Sequence, residues 1–113
     1  MKLSEIALFS EDVASMTAFY RSLLGTEPAY QSGDLAIFDH GGVHILIHQA
    51  YVPGPADLRP EDHLAFAVAD VDAACVALKA AGLEFTVPPR DYDWGRSAYF
   101  HDPDGHLIEI QQG

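Results

Sequence analysis

Basic side chains are scarce in this sequence. It contains 6 Lys and Arg against 17 Asp and Glu, which gives a formal net charge of −11. Binding to nucleic acid depends on clustered Lys and Arg, and attraction to an anionic membrane surface depends on the same residues. The composition therefore excludes both as default partners, and it favours a small neutral or cationic ligand.

Cysteine and long apolar runs are also nearly absent. Cys75 is the only cysteine, so no disulfide can form within the chain, and its place on the apolar side of a predicted helix indicates a buried thiol. No apolar run approaches the roughly 20 residues that span a bilayer. The opening "MKLSEIALF" has no cleavage-site pattern. We therefore expect a cytoplasmic protein with no membrane association.

The chain repeats one order of predicted elements, β-α-β-β-β, twice. In the first half "LSEIALFS" alternates like a strand, "EDVASMTAFYRSLLG" has a helical period, and "EPAYQS", "DLAIFD" and "VHILIHQ" are short strands. In the second half "HLAFAVA", "DVDAACVALKAAG", "LEFTVPP", "RSAYFHD" and "HLIEIQQ" follow the same order. The proline-rich "AYVPGPADLRPED" between them predicts a linker. We predict a single domain, 1–113, with modules at 1–50 and 62–113 and a linker at 51–61.

The two modules match by position. Asp12 and Asp70 are predicted helix N-caps, and they lie seven residues after Glu5 and His63 respectively. One helix covers one face of each predicted sheet, so pairing of the modules would leave the other faces around a cleft. The predicted fold class is α+β, with two βαβββ modules in tandem forming a curved mixed sheet around that cleft.

Four potential metal ligands are predicted on the open faces: Glu5 and His48 from the first module, and His63 and Glu109 from the second. Glu5 and His63 alternate with apolar residues that should pack under the helices, and Glu109 lies between two isoleucines. His48 takes the matching position if "LIHQ" is aligned with "LIEI". Each residue alone is more often an ordinary polar side chain, but the set suits a divalent ion such as Fe, Mn, Ni, Co or Zn.

The repeated order, together with "HLAFAVADVD" and "AYFHDPDGHLIEIQQ", resembles the vicinal oxygen chelate superfamily. This group includes glyoxalase I, bleomycin-resistance proteins, fosfomycin-resistance enzymes and extradiol dioxygenases, and the resemblance covers nearly the whole chain. It implies the glyoxalase/bleomycin resistance/dioxygenase fold and a metal held by Glu5, His48, His63 and Glu109. The first module departs from the usual pattern, because its His and Glu are exchanged.

The resemblance implies a metal-dependent lyase, isomerase or dioxygenase that acts on a small molecule with vicinal oxygens. Glu5 and Glu109 are the implied catalytic carboxylates, and Glu5 is the candidate base. Glyoxalase I-like enzymes bind glutathione through basic residues, and this chain has Phe9 at one such position, which predicts independence from glutathione. The same scarcity of basic residues argues against fosfomycin, whose phosphonate needs cationic contacts.

The predicted substrate contacts are Phe9 and, within "DYDWGRSAYF", Tyr92, Trp94 and Arg96, because that region often borders the cleft in the superfamily. Alternatives are a tryptophan packed at a module boundary and an arginine paired with an acidic residue. The resemblance also implies a homodimer.

A different function is a metal-free protein that sequesters a cationic small molecule, as bleomycin-resistance members do. The charge of −11 is compatible with it, and so are the aromatic residues Phe9, Phe38, Tyr92, Trp94 and Tyr99. A regulatory or structural module that binds neither metal nor small molecule is a third interpretation.

Overall fold

The computed structural model describes residues 1–113 and contains eight strands and two helices. In chain order these are β1 (Lys2–Ser10), α1 (Val13–Leu24), β2 (Tyr30–Gln31), β3 (Leu35–His40), β4 (Val43–Gln49), β5 (His63–Val68), α2 (Val71–Ala80), β6 (Phe85–Tyr92), β7 (Gly95–His101) and β8 (Leu107–Gln112). The predicted α+β class and the repeated β-α-β-β-β order are confirmed. Neither helix has the length and apolar character needed to cross a membrane.

The chain divides into two compact units. We call Glu5–Asp62 the N-terminal unit, and Met1–Ser4 with His63–Gly113 the C-terminal unit. The division falls within β1, whose first residues belong to the C-terminal unit. There the Ser4 hydroxyl donates to the Ala65 carbonyl at 3.1 Å and accepts from the Gln111 amide at 2.6 Å.

In the N-terminal unit the strands lie in the order β2-β3-β4-β1. β1 pairs in parallel with β4, and β3 pairs antiparallel with both β4 and β2. Helix α1 begins where the Asp12 carboxylate accepts the Ser15 N–H at 3.0 Å, and it ends at Gly25, whose φ of +67° suits glycine. β2 has only two residues, fewer than "EPAYQS" predicted, because Pro28 has no N–H to extend the ladder.

Helix α1 covers one face of this sheet. Phe38 and Ile47 are both 0% exposed and form a core cluster with residues of α1. Because Leu8 pairs with Ile47 and successive side chains alternate, Phe9 and His48 lie on the opposite face. We call the face away from the helix the open face of each unit.

In the C-terminal unit β5 pairs in parallel with β8, and β7 pairs antiparallel with β8 and β6. Helix α2 begins at Asp70, whose carboxylate accepts the Ala73 N–H at 3.1 Å. Val71, Cys75 and Ile110 belong to the core cluster beneath it. Cys75 is 5% exposed, so the prediction of a buried thiol is confirmed, and burial raises the pKa of that thiol.

Candidate metal centre

A buried His–Glu pair lies on the open face of the C-terminal unit. The carboxylate Oε1 of Glu109, a side chain that is 3% exposed, lies 3.1 Å from Nε2 of His63. Glu109 pairs with Ala65 in the adjacent strand, and the next residue, Ile110, packs under α2. The alternation of β8 thus turns Glu109 away from the helix, as the sequence predicts. A carboxylate buried this deeply is costly unless it has a partner.

Two residues of β7 hold this pair in place. The Ser97 hydroxyl, fully buried, donates to Oε2 of Glu109 at 2.8 Å. The Tyr99 ring packs edge-on against the His63 ring, with 5.9 Å between centroids. Ser97 was not identified from the sequence, although the alternation of "RSAYF" places it on the same face as Tyr99. One carboxylate oxygen is therefore fixed by Ser97, and the other is turned to His63.

The donor atoms fit a divalent transition-metal ion. Imidazole nitrogen and carboxylate oxygen bind such ions at about 2.0–2.2 Å, so two donors at a right angle lie about 3 Å apart. The separation of 3.1 Å between His63 and Glu109 agrees with this value. The Ser97 hydrogen bond is the kind of supporting contact that orients a ligating carboxylate.

His48 occupies a different repeat position from the one predicted. In the C-terminal unit, the strand partner of Glu109 lies two residues after His63. In the N-terminal unit, Ala7 lies two residues after Glu5 and pairs with Leu46. The residue equivalent to Glu109 is therefore Leu46, and His48 lies two residues further along β4. The alignment of "LIHQ" with "LIEI" is therefore wrong by two residues. Ligation by His48 stays a prediction that the repeat no longer supports.

His48 lies in an aromatic cluster on the open face of the N-terminal unit. Its ring centroid is 5.5 Å from that of Phe9 and 6.0 Å from that of Tyr51. Its Nδ1 lies 2.8 Å from the Gln49 carbonyl, so in the neutral ring Nδ1 carries the proton and Nε2 the lone pair. The Tyr51 hydroxyl donates to the Leu58 carbonyl at 2.6 Å and anchors the linker beside the cluster.

Tyr92 and Trp94 form a stacked pair at the end of β6. Their centroids are 4.5 Å apart and their planes differ by 9°. Tyr92 also packs edge-on against Tyr99, with centroids 6.0 Å apart. Since Tyr99 contacts His63, the Tyr92 ring lies one ring away from the His–Glu pair.

Arg96 forms ion pairs on the face opposite to Ser97. Its guanidinium donates to both Asp72 carboxylate oxygens, at 2.8 and 2.9 Å, and to Asp91 at 3.0 Å. The hydrogen bond from Arg96 lowers the pKa of Asp72. The alternative of an arginine paired with acidic residues fits this geometry, and the geometry gives no support to Arg96 as a substrate contact.

Replacing Ser97 with alanine is expected to weaken metal binding by about 10- to 100-fold, because Glu109 loses the group that orients it. Competition with a chromophoric chelator measures the affinity. Ser32→Ala, in an exposed turn, is the matched control and should bind like the wild type. Equal affinities in the two variants would show that Ser97 has no part in the site.

Known proteins resemble this chain over most of its length. The family model described as Glyoxalase/Bleomycin resistance protein/Dioxygenase superfamily matches residues 2–110. Fosfomycin resistance protein FosX from Listeria monocytogenes is 31% identical, covering 98% of this chain and 89% of that protein. Metallothiol transferase FosB from Staphylococcus epidermidis is 25% identical, with 98% and 83% covered.

The structural comparison agrees with the sequence comparison. A methylmalonyl-CoA epimerase from Streptomyces coelicolor has a TM-score of 0.73 at 23% identity, covering 100% of this chain and 94% of that one, and so has the same fold. The match to the family model over nearly the whole chain decides the family. The chain belongs to the Glyoxalase/Bleomycin resistance protein/Dioxygenase superfamily.

Proposed function

We propose that this protein is a metal-dependent enzyme acting on a small molecule with vicinal oxygens. The reaction is of lyase, isomerase or dioxygenase type and does not use glutathione. The observation that carries the proposal is the 3.1 Å approach of His63 to a Glu109 side chain that is 3% exposed. A relative whose name is metallothiol transferase adds support.

The proposed ion is divalent (Fe, Mn, Ni, Co or Zn) and is held by His63, Glu109 and Glu5. Glu5 is included because it matches His63 in the repeat and, like His63, alternates with apolar residues of its strand. Two carboxylates balance the charge of a dication, and three protein ligands leave positions for substrate oxygens.

The two carboxylates are suited to different roles. A bound dication would polarise the substrate oxygens and stabilise negative charge that develops on them. The Ser97 hydroxyl fixes Oε2 of Glu109 and leaves Oε1 available to the ion, which suits a fixed ligand. We therefore propose Glu109 as the catalytic carboxylate that positions the ion, and Glu5 as the ligand that would leave the ion and act as the base that removes a proton from the substrate. The Tyr99 ring keeps the His63 imidazole oriented.

Thermal unfolding of chelator-treated protein tests the proposed function. Addition of Mn²⁺, Fe²⁺, Co²⁺, Ni²⁺ or Zn²⁺ at about 100 times Kd should stabilise the native state by about 2.7 kcal/mol, which raises Tm by roughly 10 °C or more. Diketones and catechols are then screened for a further increase. His40→Ala, an exposed histidine at the end of β3, should respond like the wild type. Failure of all five ions to raise Tm would overturn the proposal.

A second candidate is a metal-free protein that sequesters a cationic small molecule. The aromatic cluster of Phe9, His48 and Tyr51 favours it, because aromatic faces attract cations and the chain carries a net charge of −11. Phe38 does not contribute, since it is fully buried in the core cluster with α1. In this case bleomycin would raise Tm of the chelator-treated protein while the metal ions would not.

We further propose that the protein acts as a homodimer in the cytoplasm. The support is the resemblance to small superfamily members, which commonly form dimers. Light scattering should then give about twice the chain mass of 12.3 kDa, and a mass of one chain at micromolar concentration would contradict the dimer.

A further inference from the structure

One basic side chain lies on the open face of the C-terminal unit. Arg90 pairs with Ser97 across β6 and β7, so it shares the face of Glu109. Its guanidinium lies 4.7 Å from the centroid of the Tyr92 ring and forms no ion pair, whereas Arg96 is bonded to carboxylates. With 17 acidic residues and 6 basic ones in the chain, an arginine without a carboxylate partner is available for a ligand.

The guanidinium lies over the Tyr92 ring, and the hydroxyl of that ring is buried and has no hydrogen-bond partner. Buried hydroxyls nearly always form a hydrogen bond within the protein, because burial removes their hydrogen bonds to water and an unpaired hydroxyl gains nothing in return. Burial raises the pKa of Tyr92, with Arg90 acting to lower it and Glu109 to raise it further. The hydroxyl therefore keeps its proton at neutral pH and is a hydrogen-bond donor.

Packing on two sides fixes the Tyr92 ring. Trp94 stacks on it at 4.5 Å, and Tyr99 contacts it edge-on at 6.0 Å. Tyr99 in turn packs against His63. These ring contacts connect Tyr92 to the His–Glu pair and fix its orientation, so its hydroxyl cannot easily turn to another hydrogen-bond partner.

We propose that the Arg90 guanidinium and the Tyr92 hydroxyl form an anion subsite that holds a carboxylate or phosphonate group of the substrate. A guanidinium presents paired N–H donors that match an oxyanion, and the hydroxyl gains from the same group the acceptor that the protein does not supply. The inference rests on the proposed function, in which the vicinal oxygens of the same substrate bind the ion held by His63 and Glu109. The substrate class is then a small acid.

This subsite changes what the composition implies. A net charge of −11 favours a neutral or cationic ligand only if charge is averaged over the whole surface. A single guanidinium near the metal site is sufficient to bind one anionic group. The surrounding negative charge disfavours ligands that carry several anionic groups. The scarcity of basic residues therefore selects for a small, singly anionic substrate.

The sole tryptophan provides the readout, because Trp94 stacks on Tyr92 and its fluorescence should respond to a ligand there. Metal-loaded protein is titrated separately with methylphosphonate and with acetate, and dimethyl methylphosphonate serves as the uncharged control. At least one anion should give a saturable change. Arg90→Gln should weaken its binding about tenfold or more, and Tyr92→Phe several-fold. Arg59→Gln, exposed in the linker, should bind like the wild type.

The outcomes separate this inference from the proposed function. Arg90 is exposed, so Arg90→Gln should fold and retain the metal content of the wild type. Absence of a saturable response to both anions, or equal affinities in Arg90→Gln and wild type, would overturn the subsite even in a protein that binds metal. If the protein binds no metal, the same titration on metal-free protein decides the subsite alone, because its readout depends on Arg90 and not on the ion.

Discussion

Replacing Glu109 with glutamine is expected to lower the affinity for divalent metal by more than about 100-fold. The amide keeps the volume of the side chain and can still bond Ser97, but it lacks the charge that binds a dication. Loss of a supporting contact alone costs about 10- to 100-fold, so loss of the ligand itself should cost more. Isothermal titration with Zn²⁺ or Mn²⁺ measures the affinity, with circular dichroism to verify the fold.

A matched control separates the site from the overall charge. Glu84→Gln makes the same chemical change at an exposed position just before β6, and it should leave the affinity unchanged. His63→Ala should weaken binding as Glu109→Gln does, since both side chains are proposed ligands of the same ion. Tight metal binding by Glu109→Gln would mean that the ion is held elsewhere.

Replacing Phe38 with alanine should lower the free energy of unfolding by about 3–5 kcal/mol. Phe38 is 0% exposed, belongs to the core cluster that joins α1 to β3 and β4, and lies 6.4 Å from the Tyr20 ring. Removing its ring leaves a cavity that the surrounding side chains cannot fill. Urea unfolding gives the change as a shift in midpoint at constant slope.

The same substitution at an exposed position is the control for Phe38. Phe19 lies on the outer side of α1 and is 60% exposed, so Phe19→Ala should change the free energy of unfolding by no more than about 0.5 kcal/mol. Similar losses in the two variants would contradict the assignment of Phe38 to the core of the N-terminal unit.

Features governed by local chemistry could be predicted from the sequence. The ends of α1 follow from an Asp12 side chain that caps the first turn and from a glycine that adopts a positive φ. The orientations of His63 and Glu109 follow from the two-residue period of their strands, because apolar neighbours must pack under the helix. Neither conclusion requires knowledge of distant contacts.

The strand register could not be predicted in the same way. A shift of two residues along a strand keeps every side chain on the same face of the sheet. Alternation therefore cannot decide whether Leu46 or His48 in the first module is equivalent to Glu109 in the second. Only the pairing of β1 with β4 fixes it. The match between the two modules was therefore correct in faces and wrong in register.

Contacts between side chains that lie far apart along the chain also could not be predicted from the sequence. Arg96 forms an ion pair with Asp72, which lies 24 residues earlier in the chain. Ser97 donates a hydrogen bond to Glu109, which lies 12 residues later. A count of basic residues treats Arg90 and Arg96 alike, although the fold pairs one with carboxylates and places the other on the open face. The subsite at Arg90 thus depends on the register of β6 and β7.

Elemental analysis of protein purified without chelators tests the central claim most directly. The wild type should contain about one divalent transition-metal ion per chain, as expected for a single site with His63 and Glu109 among its ligands. The double variant His63→Ala, Glu109→Ala should fold and contain none. A folded wild type without metal, or a double variant with the metal content of the wild type, would contradict the account.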